Sequence, residues 1–125
     1  MLFDTDVLIW ALRGHEGAAS LLEKTEERWI SAITYMELIR GARDRQQAHE
    51  VRAFVEDLAF LVLPLTERTT HRAVIYIEEH GLRSGLDVAD ALIAAGAVEG
   101  GMALCTANAK HFRPISDLEV RTFRA

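Results

Sequence analysis

The chain has 125 residues, half of them hydrophobic and 26% charged, and a formal charge of −5. That length suits one domain with a real core and no staples, and the composition excludes a disordered chain. No apolar run nears the ~20 residues that cross a bilayer, the acidic balance weighs against nucleic-acid binding by bulk charge alone, and a single cysteine, Cys105, excludes an internal disulfide or a zinc site of several cysteines.

In chain order, residues 1–3 form a short apolar run that stops at Asp4, and "VLIWAL" follows as a helix that Asp4 or Asp6 can cap. Residues 29–33 are a second apolar run. Residues 34–43 read as a helix with Tyr35, Leu38, Ile39 and Ala42 on one side, and Ala48, Val51, Phe54 and Leu58 recur at helical spacing. "FLVL" (60–63) is a third strand, ending at Pro64, and residues 66–80 are helical. Residues 88–98 are nearly all apolar and rich in alanine, which predicts a central, closely packed helix. Residues 102–105 and 118–123 complete the strands. Runs this short and apolar suit strands buried on both faces. Their alternation with helices predicts an α/β fold, with helices on both faces of a mostly parallel sheet. Ligands then sit beyond the carboxyl ends of the strands. Because Asp4 and Asp6 interrupt any signal-peptide layout, the expected compartment is the cytoplasm.

Most of the 19 acids fall in polar stretches, but four do not. Asp4 follows an apolar strand, Glu37 lies one turn into the helix after the second strand, and Asp87 and Asp90 open the most apolar helix. Each has an ordinary reading. Thr34–Glu37 is spaced as a capping box, Asp87 suits an N-cap, Asp90 suits a first turn, and Asn108 is another candidate cap. Together these readings weaken. The three segments that hold them, with Thr106–Asn108, fall at strand ends or helix starts, which a parallel sheet gathers on one edge. Two unit charges 4 Å apart repel by ~4 kcal/mol at an effective dielectric of 20, a large share of a small domain's stability. A divalent cation removes that repulsion, and all-oxygen donors favour Mg²⁺ or Mn²⁺. Such a centre suits phosphoryl chemistry.

"LFDTDVLIWALRG" (2–14), "SAITYMELIRGAR" (31–43), "LDVADALIAAGA" (86–97) and "LCTANAKHFRPI" (104–115) resemble, in order and spacing, the PIN-domain proteins, and among them the VapC-type toxins of bacterial toxin–antitoxin pairs. The resemblance implies a three-layer α/β/α sandwich over residues 1–125 and a Mg²⁺- or Mn²⁺-dependent endoribonuclease. By position it implies Asp4, Glu37 and Asp90 as catalytic metal ligands, with Asp87 and Asn108 as further candidates and Thr5, Asp6 and Thr106 supporting them. Many members carry a fourth acid where this chain has Asn108 and His111, which leaves the number of metals open. Arg40, Arg43, Lys110 and His111 are candidates for the RNA backbone. The resemblance also implies a homodimer and an antitoxin that lies along residues 34–58, on Met36, Ile39, Val51 and Phe54.

Two other readings compete. The missing acid favours a non-catalytic binding module of the same fold. Asp4-Thr-Asp6 also resembles the nucleophile motif of haloacid-dehalogenase-type phosphatases, but Asp87 and Asp90 then precede Thr106 and Lys110, which is the wrong order. A phosphoacceptor receiver domain wants an Asp after the third strand, where this chain has "PLTE".

Overall fold

The computed structural model describes all of residues 1–125. Five short strands, β1 (Leu2–Phe3), β2 (Trp29–Ser31), β3 (Leu61–Leu63), β4 (Leu104–Thr106) and β5 (Val120–Thr122), form one sheet in the order β3-β2-β1-β4-β5. Every pairing is parallel, with Leu2 opposite both Trp29 and Leu104. Seven helices connect them: α1 (Thr5–Leu12), α2 (Glu16–Lys24), α3 (Ala32–Arg40), α4 (Arg45–Asp57), α5 (Glu67–Ser84), α6 (Val88–Glu99) and α7 (Ala109–Phe112).

Successive strand residues face opposite ways, and here that sorts the core in two. Leu2 and Leu104 face a core with Ala73 and Tyr76 of α5, the alanines of α6 and Phe112 of α7. Phe3, Ile30 and Cys105 face the other core, built from Val7 and Leu8 of α1, Leu22 of α2, Leu38 of α3 and Val51 and Val55 of α4. The result is the expected three-layer α/β/α sandwich. Helix α6 is the central helix of the sequence reading: Ala91 and residues 93–97 are all buried. Its small residues let it lie close to the sheet, since a Cβ on Gly96 would come 3.2 Å from Leu63 Cδ2. At the end of α5, Gly85 takes the left-handed conformation (φ 73°) that stops the helix.

Several expectations shift. "FLVL" is not buried on both faces: β3 is an edge strand, and Leu61 and Val62 remain 44% and 43% exposed. Helix α3 begins at Ala32, capped by the Ser31 hydroxyl, which accepts from the Ile33 N–H at 3.1 Å. Thr34 and Glu37 therefore form no capping box, and Glu37 stands mid-helix. Helix α2 was not expected, because its sequence, EGAASLLEK, buries only Ala18 and Leu22. Its N-cap is His15, an uncommon capping residue, whose Nδ1 accepts from the Ala18 N–H.

Candidate metal-dependent active site

The chain lays β1, β2 and β3 outward on one side, then returns to lay β4 and β5 on the other. The crevice at the carboxyl ends of β1 and β4 is thus the switch point, where open α/β sheets bind ligands. Asp4 follows β1 and Thr106 ends β4 at that crevice.

Asp4 is only 7% exposed. Its backbone N–H donates to Cys105 O at 2.9 Å, which fixes it to the sheet. One carboxylate oxygen caps α1 by accepting from the Thr5 N–H at 2.9 Å, and the other accepts from the Thr106 hydroxyl at 2.7 Å. Asp6 Oδ2 accepts from the Ala107 N–H at 3.1 Å and lies 3.3 Å from Thr106 Oγ1. Its Oδ1 is buried with no partner. Thr106 also accepts from the Asn108 N–H at 3.0 Å, so one threonine organises Asp4, Asp6 and the loop after β4.

Glu37 joins through Thr5, whose hydroxyl donates to Glu37 Oε1 at 2.7 Å and lies 3.0 Å from the buried Thr34 hydroxyl. Asp87 is the N-cap of α6, accepting from the Asp90 N–H at 2.8 Å. Asp90 stands in the first turn of that helix, with Oδ2 3.8 Å from His111 Nδ1. Asn108 occupies the cap position of α7 without a side-chain capping bond, and it is exposed.

The acids sense one another. Burial, then Asp6, pushes the Asp4 carboxyl up to about 7 against the opposing Thr106 hydrogen bond, and Asp90 adds to the rise. Burial raises Asp6 against the Ala107 N–H. Burial, then Asp87, raises Asp90, and Glu37 adds to that. No lysine or arginine pairs with Asp4, Asp6, Glu37 or Asp90: the other ion pairs lie elsewhere, and the one basic side chain here is His111. No three His, Cys, Asp or Glu side chains stand close enough to grip an ion unaided. The donor set, all oxygen at the crevice and short of positive charge, fits a hard divalent cation that keeps water ligands.

Of the residues named from the sequence, hydrogen bonds link Asp4, Thr5, Asp6, Glu37 and Thr106, whereas Asp90 makes no bond to them and acts on Asp4 by charge alone. Sequence reading took Thr34 only as a capping-box residue and missed its part here, as a buried hydroxyl in the first turn of α3 beside Thr5. Arg40, Arg43 and Lys110 are exposed. Of the four residues expected to meet an antitoxin, only Met36 is openly exposed, at 52%. Ile39 and Phe54 are half-buried, and Val51 belongs to the core because its side of α4 packs against α1 and α3. A groove of about 330 Å³ does run beside them, lined by Ile9 and Leu12 of α1, by Arg13 just after it, and by Glu37, Gly41 and Glu50. No helix is long and apolar enough to cross a membrane.

The PIN-domain family model matches residues 1–117, and the chain belongs to that family. Its VapC-type character follows from its likeness to solved complexes. A chain of a toxin–antitoxin complex from Klebsiella pneumoniae is 31% identical, with a TM-score of 0.81, covering 97% of this chain and 95% of that one. A chain of DNA-bound VapBC from Salmonella typhimurium is 25% identical, with a TM-score of 0.79 and coverage of 97% and 96%. VapBC-1 from nontypeable Haemophilus influenzae gives 25%, 0.76, 97% and 96%. No curated protein sequence matches the chain.

Proposed function

We propose that residues 1–125 act as one PIN-like domain, a Mg²⁺- or Mn²⁺-dependent endoribonuclease that serves as the toxin of a toxin–antitoxin pair in the cytoplasm. The observation that carries this reading is the cation-free network at the switch point of the sheet, in which buried Asp4 is tied to Thr106 and Thr5, Thr5 reaches Glu37, and Asp90 is near enough to raise Asp4. When bound, the ion supplies an acidified water and charge stabilisation for in-line attack on a phosphodiester. Asp4, Glu37 and Asp90 would hold it. Thr106 aims Asp4, Thr5 aims Glu37, and Asp6 pins the loop after β4 through Ala107. Asp87 is occupied as a cap and acts on Asp90 by charge. Exposed Arg40, Arg43 and Lys110 take backbone phosphates, for which the arginine fork is suited. Single-stranded or looped RNA bends into such a crevice. Because water and not the 2′-OH attacks, products carry 5′-phosphate and 3′-OH ends.

The cognate antitoxin lies in the groove between α1, α3 and α4, in a helix-in-groove mode. A homodimer forms through exposed apolar side chains on α5 and the start of α6, Val74, Leu82 and Val88. The test is RNA cleavage by purified protein. Asp4→Asn and Asp90→Asn each lower it by more than about 100-fold, equivalent to roughly 2.7 kcal/mol, with circular dichroism unchanged, and EDTA abolishes it. Cleavage that survives both substitutions, or excess EDTA, overturns the reading. The competing non-catalytic module, favoured by Asn108 in place of an acid, predicts no cleavage with either metal and no effect of Asp4→Asn on growth arrest.

A further inference from the structure

A buried hydroxyl stands behind Glu37. The buried residues of α3 are Thr34 and Leu38, one turn apart, and Thr34 is wholly buried. Valine has the same shape and would fill this place without hiding a polar atom, which is costly unless that atom is bonded. Ser31 already caps α3, so Thr34 has no capping task. Its hydroxyl has one partner, the Thr5 hydroxyl on α1, at 3.0 Å. Thr5 in turn lies 2.7 Å from Glu37 Oε1. Thr34 and Glu37 thus stand one turn apart on α3 and hold one hydroxyl of α1 between them. A hydroxyl carries one hydrogen, and a carboxylate only accepts. The Thr5 hydrogen is therefore committed to Glu37, and the Thr5 oxygen receives the hydrogen of Thr34. The chain runs in one direction, from Thr34 to Thr5 to Glu37, and bonds in such a chain polarise one another. Glu37 is itself exposed; Oε1 has no other partner, and Oε2 makes no hydrogen bond to the protein.

We infer that Thr34 is a positioning residue: by donating to Thr5 it fixes which way the Thr5 hydroxyl points, and so holds the exposed Glu37 carboxylate in one orientation with Oε2 left free. The role rests on the nuclease reading, in which Glu37 helps to hold the ion. It requires no contact between Thr34 and the ion or the RNA. Packing and positioning make opposite demands at this place. For packing, valine is an equal and serine leaves a gap; for positioning, serine keeps the hydrogen and valine lacks it.

The test uses the full chain with Thr34→Val, Thr34→Ser and Thr5→Val. In metal-free protein, NMR coupling constants along the Glu37 side chain are expected to report one rotamer in the wild type and in Thr34→Ser, and averaged rotamers in Thr34→Val. By calorimetry, Mn²⁺ affinity is expected to fall by about tenfold in Thr34→Val, the scale on which groups that orient metal ligands alter affinity, and to be kept in Thr34→Ser. Thr5→Val loses at least as much, and adding Thr34→Val to it changes nothing further, because the chain is already cut. A single Glu37 rotamer and unchanged affinity in Thr34→Val overturn the inference. A loss in Thr34→Ser equal to that in Thr34→Val overturns it too, since it marks a packing role, and so does a full additional loss in the Thr5→Val background, since Thr34 then does not act through Thr5. If the rotamer and affinity differences hold but wild-type protein with Mn²⁺ cleaves no RNA, the nuclease proposal falls and the positioning role stands.

Discussion

Asp4 and Glu99 both sit beside a second acid, yet their carboxyl groups are pushed in opposite directions. At Glu99 the neighbouring arginines win. Arg72 donates to it at 2.6 Å and also to Asp117 at 2.9 Å, while Arg68 reaches it at 3.0 Å. The Arg72 hydrogen bond holds Glu99 below the usual carboxylate range. Tyr76 completes the cluster by donating to Asp117, and its own hydroxyl is pushed up to about 12, first by burial and then by that bond. These residues tie α5 to α6 and to the turn before β5. At Asp4 no such partner exists, and the carboxyl rises to about 7. Acids with a structural task bring their own cations; acids left without one await a cation from outside. Size misleads here, because the larger cleft, about 650 Å³, lies beside the self-sufficient arginine cluster.

The contrast breaks most readily through pH. Asp4 keeps its proton to about pH 7 when folded, against an ordinary value of 3.8. The folded chain therefore binds more protons than the unfolded chain between those values, and stability falls as pH rises from about 4 to about 7, then levels. The span is on the order of 4 kcal/mol. Urea unfolding of metal-free protein should show this slope, and Asp4→Asn should remove the larger part of it, leaving what Asp6 and Asp90 contribute. A wild type as steep as the variant would mean that the burial of Asp4 is already compensated.

Metal should reverse the same penalty. At 100 times its dissociation constant, a ligand that binds only the folded state adds ~2.7 kcal/mol. Mn²⁺ is expected to raise the unfolding midpoint more at pH 8 than at pH 5, where Asp4 holds its proton. Equal stabilisation at both values would place the ion away from Asp4.

Thr106→Val removes the one hydroxyl that serves Asp4, at a cost of about 1–3 kcal/mol for the unmade bond. The Asp4 carboxyl should rise further and Mn²⁺ affinity should fall, measured by calorimetry. Unchanged affinity would show that Asp4 needs no aiming. The smallest effect belongs to the other region. Arg72→Met breaks pairs that are partly open to water, so the melting temperature should drop by no more than about 4 °C, with RNA cleavage unaltered. A loss of cleavage would connect the two regions.

The layers and the parallel sheet were largely readable, because apolar runs and alanine-rich periodicity report burial directly. Edges were not: "FLVL" looks as buried as "MALC", and only the sheet order reveals that nothing covers Leu61 and Val62. In the candidate site, the acids stood out because a charge at the end of an apolar segment is conspicuous. Thr34 stayed hidden, since its bond to Thr5 joins residues 29 positions apart. His111 was legible as a departure from the family pattern, but its 3.8 Å approach to Asp90 depends on how α7 meets α6.

Asp4 is at once a sheet residue by its backbone and the cap of α1 by its side chain. Asparagine caps a helix as well as aspartate does, so exchanging one oxygen for an amide removes the charge and spares the scaffold. Silencing and unfolding are thereby separable in this chain. An inert copy that differs by a single atom type would present the same outer surfaces as the working one, and whatever recognises those surfaces could not tell the two apart.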